Sequence, residues 1–195
     1  MRTVQASLTF AAALLLRAQN MRAAVFDVDG VLTDGRIYID GQGEAFKAFS
    51  TLDGHGLKLL ARAGIEPWVI TGRDSPAVRR RVADLGIEHA VFAAEDKLAA
   101  CVALMSQRQL QWSQVAAIGD DWPDLALLAR VGFAAAPANA HIEVRSIVDH
   151  VTTAVGGHGA AREFCDLLLI AAGRYAELLD AHSTTLDGGA TTERA

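Results

Sequence analysis

The run Val25-Phe26-Asp27-Val28-Asp29-Gly30-Val31-Leu32-Thr33-Asp34 decides the fold. Ala23 to Phe26 is short, apolar and bounded by turn chemistry, so it reads as a buried strand. Side chains alternate along a strand, so Asp27 and Asp29 are expected to point the same way at its carboxyl end. That end is where open α/β sheets take their ligands. Two like charges so close destabilise each other unless a cation or a reaction uses them.

Outward from this run, strands and helices alternate. Further strands are expected at Pro67 to Ile70, Ala90 to Phe92, Val115 to Gly119, Gly132 to Ala135 and His150 to Thr152. Helices are expected from Leu57 to Ala63 with Gly64 closing it, and from Ser75-Pro76 to near Gly86, with Ser75 as N-cap. Others follow at Lys97 to Gln109, Leu125 to Arg130, Ala138 to Ser146 and Ala160 to Leu179. This rhythm implies an α/β protein: a doubly wound, mostly parallel sheet with helices on both faces. Arg36 to Phe49 alternates around a two-glycine turn and reads as a β-hairpin insertion over residues 35–50, too short for an added domain. Gly156-Gly157-His158-Gly159 reads as a flexible hinge opening a glycine-rich tail, and the Ser/Thr/Gly-rich residues 181–195 as a disordered end. The main domain thus spans 23–180.

The chain has 195 residues, enough for one domain with a substantial core, and 51% of them are hydrophobic against 6% aromatic. A net charge of −5 argues against a general nucleic-acid binder. Cys101 and Cys165 lack CxxC spacing and read as buried thiols in a reducing compartment. Residues 1–22 form an N-terminal extension, read as helical and packed on the domain; its Leu8 to Leu16 run also resembles a weak secretory signal, and Met21 is a second possible start. No segment is long enough to span a membrane.

Four polar clusters fall at strand ends or helix starts: Asp27/Asp29, Thr71 with Arg73, Lys97, and Asp120/Asp121/Asp124. In a parallel sheet these ends share one edge, so the clusters are expected to meet in one crevice. Carboxylates suit Mg²⁺ with positions left for water and phosphate, and a hydroxyl and an ammonium suit phosphate oxygens. Phosphoryl transfer needs little beyond such placement and charge neutralisation. An aspartate can serve as nucleophile and a second one as acid and base. Each cluster alone has a plainer reading. Asp-x-Asp can be a turn former, Thr71-Gly72 a strand-to-helix turn, Lys97 a solvated helix residue and Asp124 a complement to a helix N-terminus. His55 and His158 read as loop residues rather than ligands, Arg79 and Arg80 as solvent-facing, and Arg81 as surface or pocket.

Taken in order, Asp27-x-Asp29-Gly-Val-x-Thr-Asp, Thr71-Gly-Arg, Lys97 and Gly119-Asp120-Asp121-x-x-Asp124 resemble the haloacid dehalogenase superfamily of phosphatases over residues 23–150. The resemblance implies a Rossmann-like fold, Asp27 as nucleophile and Asp29 as acid/base. It also implies Mg²⁺ held by Asp27, the Asp29 carbonyl and Asp120, with Asp121 and Asp124 supporting and Thr71 and Lys97 on the phosphoryl group. A finer resemblance, through Phe49 to Gly56, Gly156 to Glu163 and the hairpin in place of a separate cap domain, is to the 3-deoxy-D-manno-octulosonate 8-phosphate phosphatase family. It implies a cytoplasmic homotetramer built by the hairpins, whose glycine-rich tail reaches a neighbouring active site. The implied activity is hydrolysis of a small phosphorylated sugar acid in lipopolysaccharide precursor synthesis. Substrate positions would fall on Asp29, Ser50, Thr51, Leu52, Asp53, Gly54, Lys58, Arg73, Arg81 and Lys97. The sequence departs from that pattern at Leu52 and His158, where relatives often carry arginine.

Two other readings compete. One keeps the chemistry and changes the substrate to a nonulosonate 9-phosphate. The other is a phospho-accepting receiver domain, which also uses an acidic pair, Asp, Thr and Lys; there the acidic pair follows the first strand, whereas Asp120/Asp121 come late and after the lysine.

Overall fold

The computed structural model describes residues 5–184. Its strands are β1 (Ala23–Phe26), the hairpin pair β2 (Tyr38–Asp40) and β3 (Gly43–Phe46), β4 (Glu66–Ile70), β5 (His89–Val91), β6 (Val115–Ile118), β7 (Phe133–Ala136) and β8 (His150–Val151). Its helices are α1 (Ala12–Arg17), α2 (Thr51–Arg62), α3 (Pro76–Leu85), α4 (Lys97–Arg108), α5 (Leu125–Leu128), α6 (Ile142–Ile147), α7 (Ala160–Ala171) and α8 (Tyr175–Thr184). Six strands form a parallel sheet in the order β5-β4-β1-β6-β7-β8, and β2 and β3 pair antiparallel on their own.

β1 lies mid-sheet, with Phe26 opposite Val69 on one side and Ile118 on the other. Its four residues are all buried because each face carries a layer of helices. Alternate side chains serve opposite cores. Ala24, Phe26, Val69, Ile118 and Phe133 join α2, α3 and α7 in one; Val25, Trp68, Ile70, Ala117 and Ala134 join α4, α5 and α6 in the other. The doubly wound parallel sheet expected from the sequence is therefore the observed fold, hairpin included.

Several boundaries differ for local reasons. α2 begins at Thr51, not Leu57, because the Ser50 hydroxyl caps it by accepting from Asp53 N at 3.3 Å. Its glycines lie against neighbours that leave little room: a side-chain carbon at Gly56 would come within 3.1 Å of Cys165 on α7. The stretch Ala160 to Leu179 is two helices, broken at Gly173, whose φ of +69° ends α7 in a left-handed turn that favours glycine. α8 continues through Thr184, so 181–184 are helical; residues 185–195 lie outside the described residues. α1 takes six residues of the extension, whose Phe10 and Leu14 pack on the first core.

The glycine run at 156–159 is neither a free hinge nor the start of a tail. Gly156 N donates to Asn139 Oδ1 (2.9 Å) and Gly157 N to the carbonyl of Val31 (2.9 Å), which fastens the run to the loops after β7 and β1. It leads into α7, a core helix. There Phe164 meets Phe26 edge-on at 5.5 Å and stacks on Phe133 at 6.4 Å. Asp53 on α2 holds the start of α7, its buried carboxylate accepting from Gly159 N (3.2 Å) and Arg162 N (2.7 Å). Asp53→Ala leaves both donors unpaired and is expected to cost about 1–2 kcal/mol. A urea titration at neutral pH should show the lower midpoint; an unchanged midpoint would remove Asp53 as the cap.

Candidate active site

The sheet order reverses between β1 and β6: β1 is followed by a helix on one face and β6 by a helix on the other. The crevice this opens at their carboxyl ends is the usual ligand position of such a fold. A cavity of about 310 Å³ lies there, lined by Asp27, Asp29, Thr71, Arg73, Lys97, Asp120, Asp121 and Asp124 among others. All four polar clusters picked out in the sequence thus reach one site.

Asp27 comes directly after β1, its N–H bonded to Ile118 O on β6 (3.2 Å), and its side chain is buried. The chain then leaves strand geometry: Val28–Leu32 is an irregular turn, with Asp29 at φ −77°, ψ 112° and Gly30 at φ +94°. Strand alternation is therefore not what brings Asp29 to the cavity; the turn does. Gly30 is required twice. Its φ lies where L side chains rarely go, and a side-chain carbon there would stand 2.0 Å from Asp120 Oδ2.

Lys97, the first residue of α4, projects a buried ammonium between two carboxylates, Asp27 Oδ1 at 2.7 Å and Asp124 Oδ1 at 2.6 Å. Asp124 also accepts from the backbone N–H of Asp120 (3.2 Å) and Asp121 (3.4 Å), so it shapes the turn that carries them. Asp121 itself is exposed. Thr71 is buried after β4 and its hydroxyl accepts from Arg73 N (3.4 Å).

Oxygens of Asp27, Asp120 and Asp124 lie within 4.8 Å of one another, close enough to share one ion. Burial, then the facing charge of Asp124, pushes the Asp27 carboxyl up to about 6. Burial, then Asp27 and Asp124, pushes Asp120 up to about 8. Burial pulls the Lys97 ammonium down, but the two carboxylates outweigh it and hold its pKa above the ordinary value. Three carboxylates share one ammonium, so a divalent cation with oxygen ligands fits the charge that remains.

The hairpin supplies residues that the sequence reading missed. Lys47, just past β3, pairs with Asp29 Oδ1 and lies 3.2 Å from Glu44. Glu44 in turn receives the Ser75 hydroxyl and the Arg73 guanidinium (3.3 Å). The Ser75 side chain, expected to cap α3, makes no capping bond and is spent on the hairpin instead.

The remaining candidate substrate residues lie elsewhere. Ser50, Thr51 and Leu52 line a neighbouring depression with Asp34 and His158, so both departures from the family pattern fall in one place. Arg81 donates to the carbonyl of Ser50 (3.1 Å) and backs onto Gly54, bracing the start of α2. Lys58 lines a separate cavity of about 440 Å³ with Glu66, His89 and Arg108, by the amino ends of β4 and β5.

The family model for haloacid dehalogenase-like hydrolases matches residues 93–164. The 3-deoxy-D-manno-octulosonate 8-phosphate phosphatase KdsC of Haemophilus influenzae is 46% identical over 158 residues, 81% of this chain and 88% of that protein. The chain belongs to this phosphatase family. Among solved structures of 3-deoxy-D-manno-octulosonate 8-phosphate phosphatases, that from Moraxella catarrhalis, in complex with magnesium, phosphate and KDO, superposes with a TM-score of 0.85 at 38% identity. It covers 87% of this chain and 98% of that one. The cobalt-bound Haemophilus influenzae phosphatase superposes with a TM-score of 0.82 at 44% identity, covering 87% and 99%. As a member of this phosphatase family the chain is a hydrolase with the haloacid dehalogenase-like fold.

Protons and a divalent cation compete for Asp27 and Asp120. Below their pKa values of about 6 and about 8 the protons hold these carboxylates, and above them the oxygens are free. Millimolar Mg²⁺ is therefore expected to raise Tm, and by more at about pH 9 than at about pH 5. Asp120→Asn should remove most of that rise. Differential scanning calorimetry checks both; a rise that is flat with pH, or intact in the variant, would count against this ion site.

Proposed function

We propose that this chain is an Mg²⁺-dependent phosphomonoesterase that hydrolyses 3-deoxy-D-manno-octulosonate 8-phosphate through an aspartyl-phosphate on Asp27. The observation that carries the reading is the juxtaposition at the switch point of the sheet. A buried carboxylate, Asp27, lies 2.7 Å from the Lys97 ammonium and within ion-sharing reach of Asp120. The identity to curated phosphatases of this substrate supports the substrate class.

A divalent cation held by Asp27, the Asp29 carbonyl and Asp120 would screen the charge of an incoming phosphate from an anionic nucleophile. Lys97 and the Thr71 hydroxyl bind and orient the phosphoryl oxygens. An Asp27 oxygen attacks phosphorus, the bond to the sugar oxygen breaks, and Asp29 gives that oxygen its proton. Water then attacks the phosphorus, passing its proton to Asp29, and Asp27 is released as a carboxylate together with inorganic phosphate. Asp121 and Asp124 support the turn behind Asp120. Arg73 is the cation on the open side of the cleft, suited to a sugar-acid carboxylate.

The product would feed lipopolysaccharide precursor synthesis in the cytoplasm, the compartment in keeping with two free buried thiols. Among the described residues no helix is long and apolar enough to cross a membrane. A receiver domain fits poorly, since Asp120 and Asp121 follow β6 and the relatives are phosphatases. A nonulosonate 9-phosphate remains the competing substrate.

Phosphate release should be measured with Mg²⁺ on both sugar-acid phosphates. The octulosonate is expected to be turned over more efficiently, EDTA to stop the reaction, and Asp27→Asn to lower it at least about a thousandfold. Preference for the nonulosonate would reassign the substrate, and activity retained in Asp27→Asn would discard the nucleophile.

We further propose that the chain forms a homotetramer joined through its hairpins. Ile39 and Phe46 are exposed there, and the outer edges of β2 and β3 pair with no strand among the described residues. Sedimentation velocity should show a tetramer that Ile39→Asp dissociates; a wild-type monomer would refute the assembly.

A further inference from the structure

The hairpin is docked over the cleft by charge. Its large apolar residues Ile39 and Phe46 are exposed, while Glu44 and Lys47 turn inward. The Lys47 side chain is completely covered although the hairpin around it is largely exposed. A lysine buried in this way is costly unless its ammonium is fully partnered. Its partners are Asp29 Oδ1 and, at 3.2 Å, Glu44 Oε2. Glu44 is itself fixed by the Ser75 hydroxyl and by Arg73. Asp29 sits in an irregular turn, with no strand to hold its side chain, and its other oxygen faces Arg73 Nε at 3.8 Å on the cavity side.

From this geometry we infer that Lys47 is a positioning residue for Asp29. By gripping Oδ1 it stops the carboxyl group from turning and presents Oδ2 to the place where the leaving oxygen departs. The hairpin is then part of the proton-transfer apparatus as well as a surface feature. Glu44 acts one step further out, holding the Lys47 ammonium and the Arg73 guanidinium in register. This rests on the assignment of Asp29 as acid and base, and the test is arranged to separate the two ideas.

An alkoxide leaving group needs the proton; p-nitrophenolate, a far weaker base, leaves without it. The Mg²⁺-loaded protein should be assayed for kcat/KM on 3-deoxy-D-manno-octulosonate 8-phosphate and on p-nitrophenyl phosphate. Lys47→Met, which keeps the apolar stem, is expected to lower kcat/KM on the sugar phosphate at least roughly tenfold more than on the aryl phosphate. Lys47→Arg should restore most of the difference. Ser75→Ala, which frees Glu44 but leaves the direct Lys47–Asp29 contact in place, should discriminate between the two substrates far less than Lys47→Met. Lys47→Gln replaces Lys47→Met should the latter fail to fold.

Asp29→Asn separates the two ideas. If it discriminates between leaving groups and the Lys47 variants do not, Asp29 keeps its role and the positioning role of Lys47 is overturned. If Asp29→Asn lowers both substrates equally, the acid–base assignment itself fails and takes the inference about Lys47 with it.

Discussion

Everything at the switch point depends on one electrostatic imbalance. Asp27, Asp120 and Asp124 are brought together at the carboxyl ends of β1 and β6 with a single buried ammonium, Lys97, among them. Folding alone would not favour such a cluster, because burial and mutual repulsion make it costly to keep ionised. The fold tolerates it by surrounding it with rigid pieces. Strands filled on both faces precede each aspartate, the Asp124 carboxylate ties down the turn bearing Asp120, and Gly30 leaves room for the Asp120 side chain. The strain of the cluster is what makes it receptive to a cation and an anion together.

A second polar network lies on top of the first. Lys47, Glu44, Arg73 and Ser75 fasten the hairpin across the open side of the cleft, and Asp29 joins this layer rather than the deeper one. The two aspartates two residues apart therefore belong to different electrostatic environments. Asp27 is buried beside an ammonium held from below, and Asp29 is partly open and paired with cations from above. A nucleophile and a proton carrier need such unlike surroundings.

Much of this was legible in the sequence. The strands declared themselves as short apolar runs, because a sheet covered on both faces needs buried residues at every position. The motif residues at their ends followed from parallel topology, which collects carboxyl ends on one edge. Other features were hidden for physical reasons. Lys47 stands just beyond the end of β3, where strand alternation no longer predicts direction, so nothing local marks it as facing Asp29. Asp53-Gly54-His55-Gly56 looks like a loop by propensity, yet Ser50 caps a helix through it and α7 packs against its glycines. Asp53 acts as the cap of a helix more than a hundred residues away, a long-range contact that no spacing rule reports. Gly173 alone distinguishes two helices from one, and a lone glycine inside an apolar pattern is an ambiguous mark.

The wiring of α7 also bears on how the molecule is made. Phe164 completes the stack with Phe26 and Phe133, so one face of the sheet is closed by a helix from near the end of the chain, while its central strand comes from near the beginning. During synthesis that face stays incompletely covered until residues up to 171 have left the ribosome. Until then α2 and α3 shield part of its oily surface, and the rest waits for α7. Apolar surface left uncovered in this way is what makes an incomplete chain prone to aggregate.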